Sequence, residues 1–123
     1  MKINVCNIVD ETVYGETCFG SVYVRWMSEK PEVGKTYHVE LDIADHLIWC
    51  KDITLASSNN YSITYDETSI FLFGVIDSVE DDGFSALRIG SCIIPLITQG
   101  TAFEIGSHVR VSVTSISAYV VNL

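Results

Sequence analysis

His38, Glu40, Asp42, His46 and Cys50 recur at even offsets in one stretch of the sequence. Even offsets put side chains on one face of a continuous strand, so imidazole, carboxylate and thiolate donors would converge there as metal ligands do. Such a strand would far exceed the usual five or six residues or so, and ADHLIWC reads equally as a helical turn. The shared face therefore breaks near Ala44, and no metal site is assigned. The remaining cysteines, Cys6, Cys18 and Cys92, lack the short spacing of a zinc knuckle and sit, like Cys50, among apolar or β-prone neighbours such as NVCNIV and GSCIIP. They are expected to be reduced and mostly buried. The start MKINVCNIVD reaches acidic residues too early for a secretory leader, so an oxidised framework is not expected either.

Nucleophilic catalysis needs a serine or cysteine on a strained, glycine-flanked turn beside a base. Gly20-Ser21 and Gly90-Ser91 lack the second glycine and read as turns or bulges. Paired-carboxylate chemistry needs one acid raised in an apolar pocket, whereas the acids here gather at turn tips. Glu80-Asp81-Asp82-Gly83 lacks the alternating oxygen ligands and closing glutamate of a calcium loop. The expectation is a protein with no catalytic residues, no metal and no cofactor.

Charge narrows the partners. Seven Lys and Arg stand against 16 Asp and Glu in 123 residues, a formal charge of -9. The few bases are scattered, which disfavours a nucleic-acid groove, because phosphate neutralisation carries most of such affinity. No apolar run approaches the roughly 20 residues of a membrane span. A cytoplasmic protein with no membrane or nucleic-acid partner is expected. A chain of this length, 48% apolar, predicts one domain over 1–123 with a substantial core.

The elements that position these residues are strands. Val22, Val24 and Trp26 alternate with polar neighbours, as do Tyr37, Val39, Leu41 and Ile43, and YSITY leads into a run, Ile70 to Ile76, that is apolar on both faces apart from Gly74. Asp82-Gly83 predicts a tight primed turn. Pro95 suggests an edge, bulge or strand end, and Val109, Val111 and Val113 share a face of the last long strand. One short helix is expected around Asp42–Lys51, with Asp42 as cap and Ile43, Leu47 and Cys50 on one side. The predicted class is all-β, an antiparallel barrel or sandwich of about eight strands, with at most one short helix.

The chain also echoes itself at a shift of 70 residues, placing Val5 on Val75, Val9 on Val79, Asp10-Glu11 on Glu80-Asp81 and Gly20-Ser21 on Gly90-Ser91. After a two-residue insertion beyond Trp26, Glu32-Val33-Gly34 meets Glu104-Ile105-Gly106, and Tyr37, Val39 and Leu41 meet Val109, Val111 and Val113. Pseudo-repeated meanders over 1–45 and 71–117 are one reading; shared β-strand grammar is the other.

The segments FLFGVIDSVEDDGFSALRIGSCIIPL and FEIGSHVRVSVTSISAYVV resemble the strand grammar of OB-type and S1-like barrels. That resemblance implies a small barrel, but its usual single-stranded nucleic-acid binding needs a basic groove, and this half offers only Arg88 and Arg110. The whole profile, small, acidic and single-domain, resembles the immunity proteins that accompany bacterial toxins. Those share no common motif, so no residue is carried over. Two functions follow as expectations. In the first, the chain is a non-enzymatic inhibitor of a basic toxin domain, such as a nuclease or RNase, using Asp10, Glu11, Glu80, Asp81 and Asp82 with Glu40 and Asp42. In the second, it is a β-barrel interaction module or assembly subunit that uses exposed aromatics such as Trp26, Tyr61 or Tyr65.

Overall fold

The computed structural model describes residues 1–121. The first half forms β1 (Lys2–Val9), β2 (Thr12–Thr17), β3 (Gly20–Trp26) and β4 (Thr36–Asp42). A middle group follows: β5 (His46–Ile48), β6 (Ile53–Leu55) and β7 (Ser62–Tyr65). The second half forms β8 (Ile70–Val79), β9 (Phe84–Ile89), β10 (Cys92–Gln99) and β11 (His108–Val113), and β12 (Ser117–Val120) ends the described chain. The described residues are all-β and barrel-like, with twelve strands among them where about eight were expected.

The short helix expected over Asp42–Lys51 does not form. His46, Ile48 and Cys50 are exposed while Leu47 and Trp49 are buried, a period of two that belongs to a strand. Parallel pairing of β5 with β10, Ile97 opposite His46, overrides the helical spacing of Ile43, Leu47 and Cys50. The chain then turns at residues 49–52, with Cys50 at φ 71°.

Five strands make a closed barrel in the order β1-β2-β3-β12-β4. Its pairs are antiparallel except β3 with β12. The other strands form a seven-stranded sheet, β5-β10-β9-β8-β11-β6, with β7 added to β8. The outer strands β5 and β6 are consecutive in the chain and bridged through Trp49 and Ile53, so this sheet also curls round on itself. β5 runs parallel to β10 and β6 antiparallel to β11. Together they take the place in the second sheet that β12 takes in the first barrel.

The two halves share local backbone features. Gly34 N–H donates to the Val5 carbonyl at 2.7 Å, and Gly106 N–H donates to the Ile76 carbonyl at 2.8 Å. Both first strands carry a register shift, between Val5 and Asn7 and between Ile76 and Ser78. The residue correspondence differs from the one read in the sequence: the offset is 71 in the first strand (Val5 onto Ile76) and 72 beyond it (Tyr14 onto Ala86, Thr36 onto His108). The extra length falls in the turn Glu80–Gly83, not after Trp26. That turn is a four-residue connection closed by Glu80 N–H on the Phe84 carbonyl (2.8 Å), and of its Asp-Gly pair only Gly83 has positive φ, so the primed two-residue turn is not formed.

The two halves exchange their closing strands. The chain leaves β4 through Ile43–Asp45 and supplies β5 and β6 to the second sheet; it leaves β11 through Thr114–Ile116 and supplies β12 to the first barrel. Ile43 and Ile116, one in each crossing, are both buried, and a single apolar cluster joins Ile3, Val24 and Ala118 to Ile76, Leu87 and Val111. The expected burial of the cysteines fails: Cys6, Cys18 and Cys50 are free and exposed, and Cys92 is half-buried. Each lies where alternation is interrupted, Cys6 at the β1 bulge, Cys50 in the turn after β5, and Cys18 and Cys92 beside the second-to-third-strand turns.

Candidate functional site

The outward face of β9 and β10 exposes large apolar side chains beside acidic groups. Cross-strand partners share a face, so Phe84 stands by Ile97, Ala86 by Pro95 and Arg88 by Ile93. The intervening Leu87, Ile94 and Leu96 point into the core. Phe84 is 50% and Ile93 48% exposed, and Pro95 is also exposed. Pro95 lacks an N–H, and β10 pairs with β5 only at Ile97–Gln99, so at Pro95 the strand is an edge on that side. From Ile93 to Ile97 the strip runs roughly 13 Å at the usual rise of a strand.

Acidic residues border both ends. At the Phe84 end lies the exposed turn Glu80-Asp81-Asp82, held against β10 by Thr98 N–H donating to the Gly83 carbonyl. At the Ile93 end, Glu40 and Asp42 on the outer face of β4 line one groove with Ile93, Pro95 and Tyr119, of about 520 Å³. Tyr119 stands directly opposite Glu40 across β12 and β4. The base of the strip, Arg88, is neutralised in place: its Nε lies 3.3 Å from Asp77, and its Nη1 donates to Tyr61 Oη at 2.6 Å.

Five of the seven acids singled out in the sequence thus border one surface. Asp10 and Glu11 do not: they form the equivalent turn of the first barrel, where Arg25 lies 3.5 Å from Glu11. The His38, Glu40, Asp42, His46 and Cys50 set is divided as β4 ends, and among the described residues no group of three or more His, Cys, Asp or Glu is close enough to hold a metal ion. Trp26 is not an exposed aromatic; it is 7% exposed, donates its indole N–H to the Glu29 carbonyl and packs edge-on against Tyr37. Tyr61 is half-buried between Phe19 and Arg88, and Tyr65 is exposed.

Comparison with protein-family models, with curated proteins and with solved structures finds no match. What this surface does must be argued from its own chemistry. Half-exposed apolar side chains between two acidic clusters suit a complementary surface that is apolar at its centre and cationic at its rim. Pro95 suggested an edge, bulge or strand end in the sequence, but nothing there showed that Phe84, Ile93 and Ile97 would join it on one exposed face, because that depends on the pairing of β9 with β10. Among the described residues no helix is long and apolar enough to cross a membrane.

Proposed function

We propose that the protein is a non-enzymatic, immunity-type inhibitor that docks a basic protein partner, a toxin domain such as a nuclease, on the strip of Phe84, Ile93, Pro95 and Ile97. The observation that carries this reading is the placement of that strip between Glu80-Asp81-Asp82 and Glu40 with Asp42. The carboxylates attract a cationic active site from a distance and set its orientation, and the desolvated apolar centre supplies residence time. The overall charge of -9 adds to the same steering, and the cytoplasm is where such a neutralising protein would act. The strand order of the first barrel, with its one parallel pair between third and closing strands, supports an OB-type likeness for both halves. The acidic turns argue against the nucleic-acid binding that often accompanies such barrels.

The test is a pull-down from the native host with the tagged chain at low and moderate salt, followed by association kinetics with the protein retained. A basic partner is expected, with an on-rate that falls as salt rises. Lysines in place of Glu80, Asp81 and Asp82 should lower that on-rate at least tenfold, and Phe84→Ser should raise the off-rate, with both variants folded. Recovery of only neutral partners or of the chain itself, with binding indifferent to the charge reversal, would replace this reading by the interaction-module one.

A further inference from the structure

The first barrel carries on its equivalent face something the second lacks. Tyr14 and Tyr23 are cross-strand partners on the outer face of β2 and β3, at the positions that Ala86 and Pro95 occupy in β9 and β10. Their ring centroids are 5.9 Å apart with planes inclined at 44°. Tyr65, at the end of β7, comes over from the other sheet and meets Tyr23 at 5.0 Å with the planes at 83°. The three rings, with Thr12, Asp66 and Glu67, line a groove of about 490 Å³. Tyr23 packs against the core from outside, whereas Tyr14 and Tyr65 do not belong to that cluster, so packing of the barrel does not account for the group of three.

We infer that this corner of Tyr14, Tyr23 and Tyr65, closed by Asp66 and Glu67, binds an organic ammonium group, either a lysine side chain or a quaternary ammonium compound. The faces of aromatic rings carry the negative part of the ring quadrupole, and inclined or perpendicular rings present several such faces to one compact cation. The carboxylates add the net charge that the rings lack. Asp66 is fixed for this role: its Oδ1 accepts from Thr68 N–H (2.9 Å), Thr68 Oγ1 (3.1 Å) and Ser69 N–H (2.9 Å), which leaves Oδ2 as the oxygen for a ligand. Those bonds hold the Asp66 carboxyl below the usual carboxylate range, so it stays ionised. Burial first, and then Asp66 and the two neighbouring tyrosines, push the Tyr23 hydroxyl upward, as expected where negative charge is disfavoured and positive charge is not. The charge of Arg110 also reaches Asp66, but its guanidinium is stacked on Phe71 at 4.3 Å and does not line the groove.

The inference stands apart from the partner strip, which lies on the seven-stranded sheet. The experiment is a titration of the full chain, followed through its tyrosine ring resonances, with choline and with 3,3-dimethylbutan-1-ol, its uncharged isostere. Choline should saturate with a Kd on the order of millimolar, and the isostere should bind at least tenfold more weakly. Tyr65→Leu, at an exposed position, and Asp66→Asn, which keeps the turn's acceptor, should each weaken choline at least fivefold in a chain that remains folded. A further arm with Nα-acetyl-lysine methylamide separates the sources: binding near that of choline assigns the corner to a lysine of a protein, and binding of choline alone assigns it to quaternary ammonium. Equal affinity for choline and its isostere, the absence of saturation by any of the cations, or indifference to both substitutions would overturn the inference.

Discussion

Asp45 Oδ2 accepts hydrogen bonds from both the amide (3.0 Å) and the hydroxyl (2.9 Å) of Thr114. The two residues sit in the two segments through which the halves exchange their closing strands, so this pair ties one crossing to the other. Asp45→Ala removes both bonds from a site open to solvent, and the expected loss is about 1 kcal/mol, read as a lower urea midpoint at unchanged slope. Thr114→Val removes only the hydroxyl's bond, because its amide still donates to Asp45, and should cost less. Because Asp45→Ala already removes that bond, the double variant should be less destabilised than the sum. Full additivity would show that the crossings are held independently.

Exchange of closing strands also dictates how the protein unfolds. The first barrel contains Trp26 and the second sheet is bridged through Trp49, the two tryptophans of the chain. Trp26→Phe leaves a reporter in one half and Trp49→Phe leaves one in the other. Neither sheet can lose its closing strand without opening a connection that feeds its neighbour, and one apolar cluster spans both. The two single-tryptophan proteins should therefore respond as one unit to Val24→Ala, a fully buried site in the first barrel, with both midpoints falling together by the equivalent of about 2 kcal/mol. A fall seen by Trp26 alone would mean two separate folding units.

Much of this architecture is legible in the sequence for definite reasons. Val22, Val24, Val39, Leu41, Val109, Val111 and Val113 alternate cleanly, and each is buried. The echo survives because its markers are turn glycines, and Gly34 and Gly106 occupy matching turns with φ 91° and 93°. The register of the echo was misread because a bulge and a longer turn shift residues locally without disturbing the order of strands. The exchange is invisible to any pattern search: β5 and β12 have the alternation of strands, and nothing in alternation says which sheet a strand joins. The acids were visible, whereas the strip between them depends on the tertiary fact that one edge of β10 is open at Pro95.

At Gly20 the two sheets meet backbone to backbone. Its φ is 137°, a Cβ built on it would lie 2.2 Å from the Ile63 carbonyl oxygen, and next to it Ile63 N–H donates to the Phe19 carbonyl at 2.9 Å. Backbone cannot swing aside as a side chain does, so Gly20→Ala must strain the turn or push β7 away. The expected loss is about 2 kcal/mol or more. Hydrogen exchange localises it: the Ile63 amide should lose protection more than the Val24 amide. A stability within a few tenths of a kcal/mol of the parent would refute this close approach.

Asp66 sets one part of the acid sensitivity. Hydrogen bonds from Thr68 and Ser69 lower its pKa from the ordinary 3.8, so the folded protein binds fewer protons at this site than the unfolded chain does. A group depressed in this way contributes stability that is fully present above about 3.8 and is lost as the pH falls through the folded-state value. Asp66→Asn preserves an acceptor for the turn but removes the titration. Urea midpoints measured from about pH 6 downward should then show the variant less stable than the parent at the upper end. Below about pH 4 its curve should be the flatter of the two, so that they converge as the parent's carboxylate becomes protonated. Parallel curves would show that the Asx turn does not depend on the charge of Asp66.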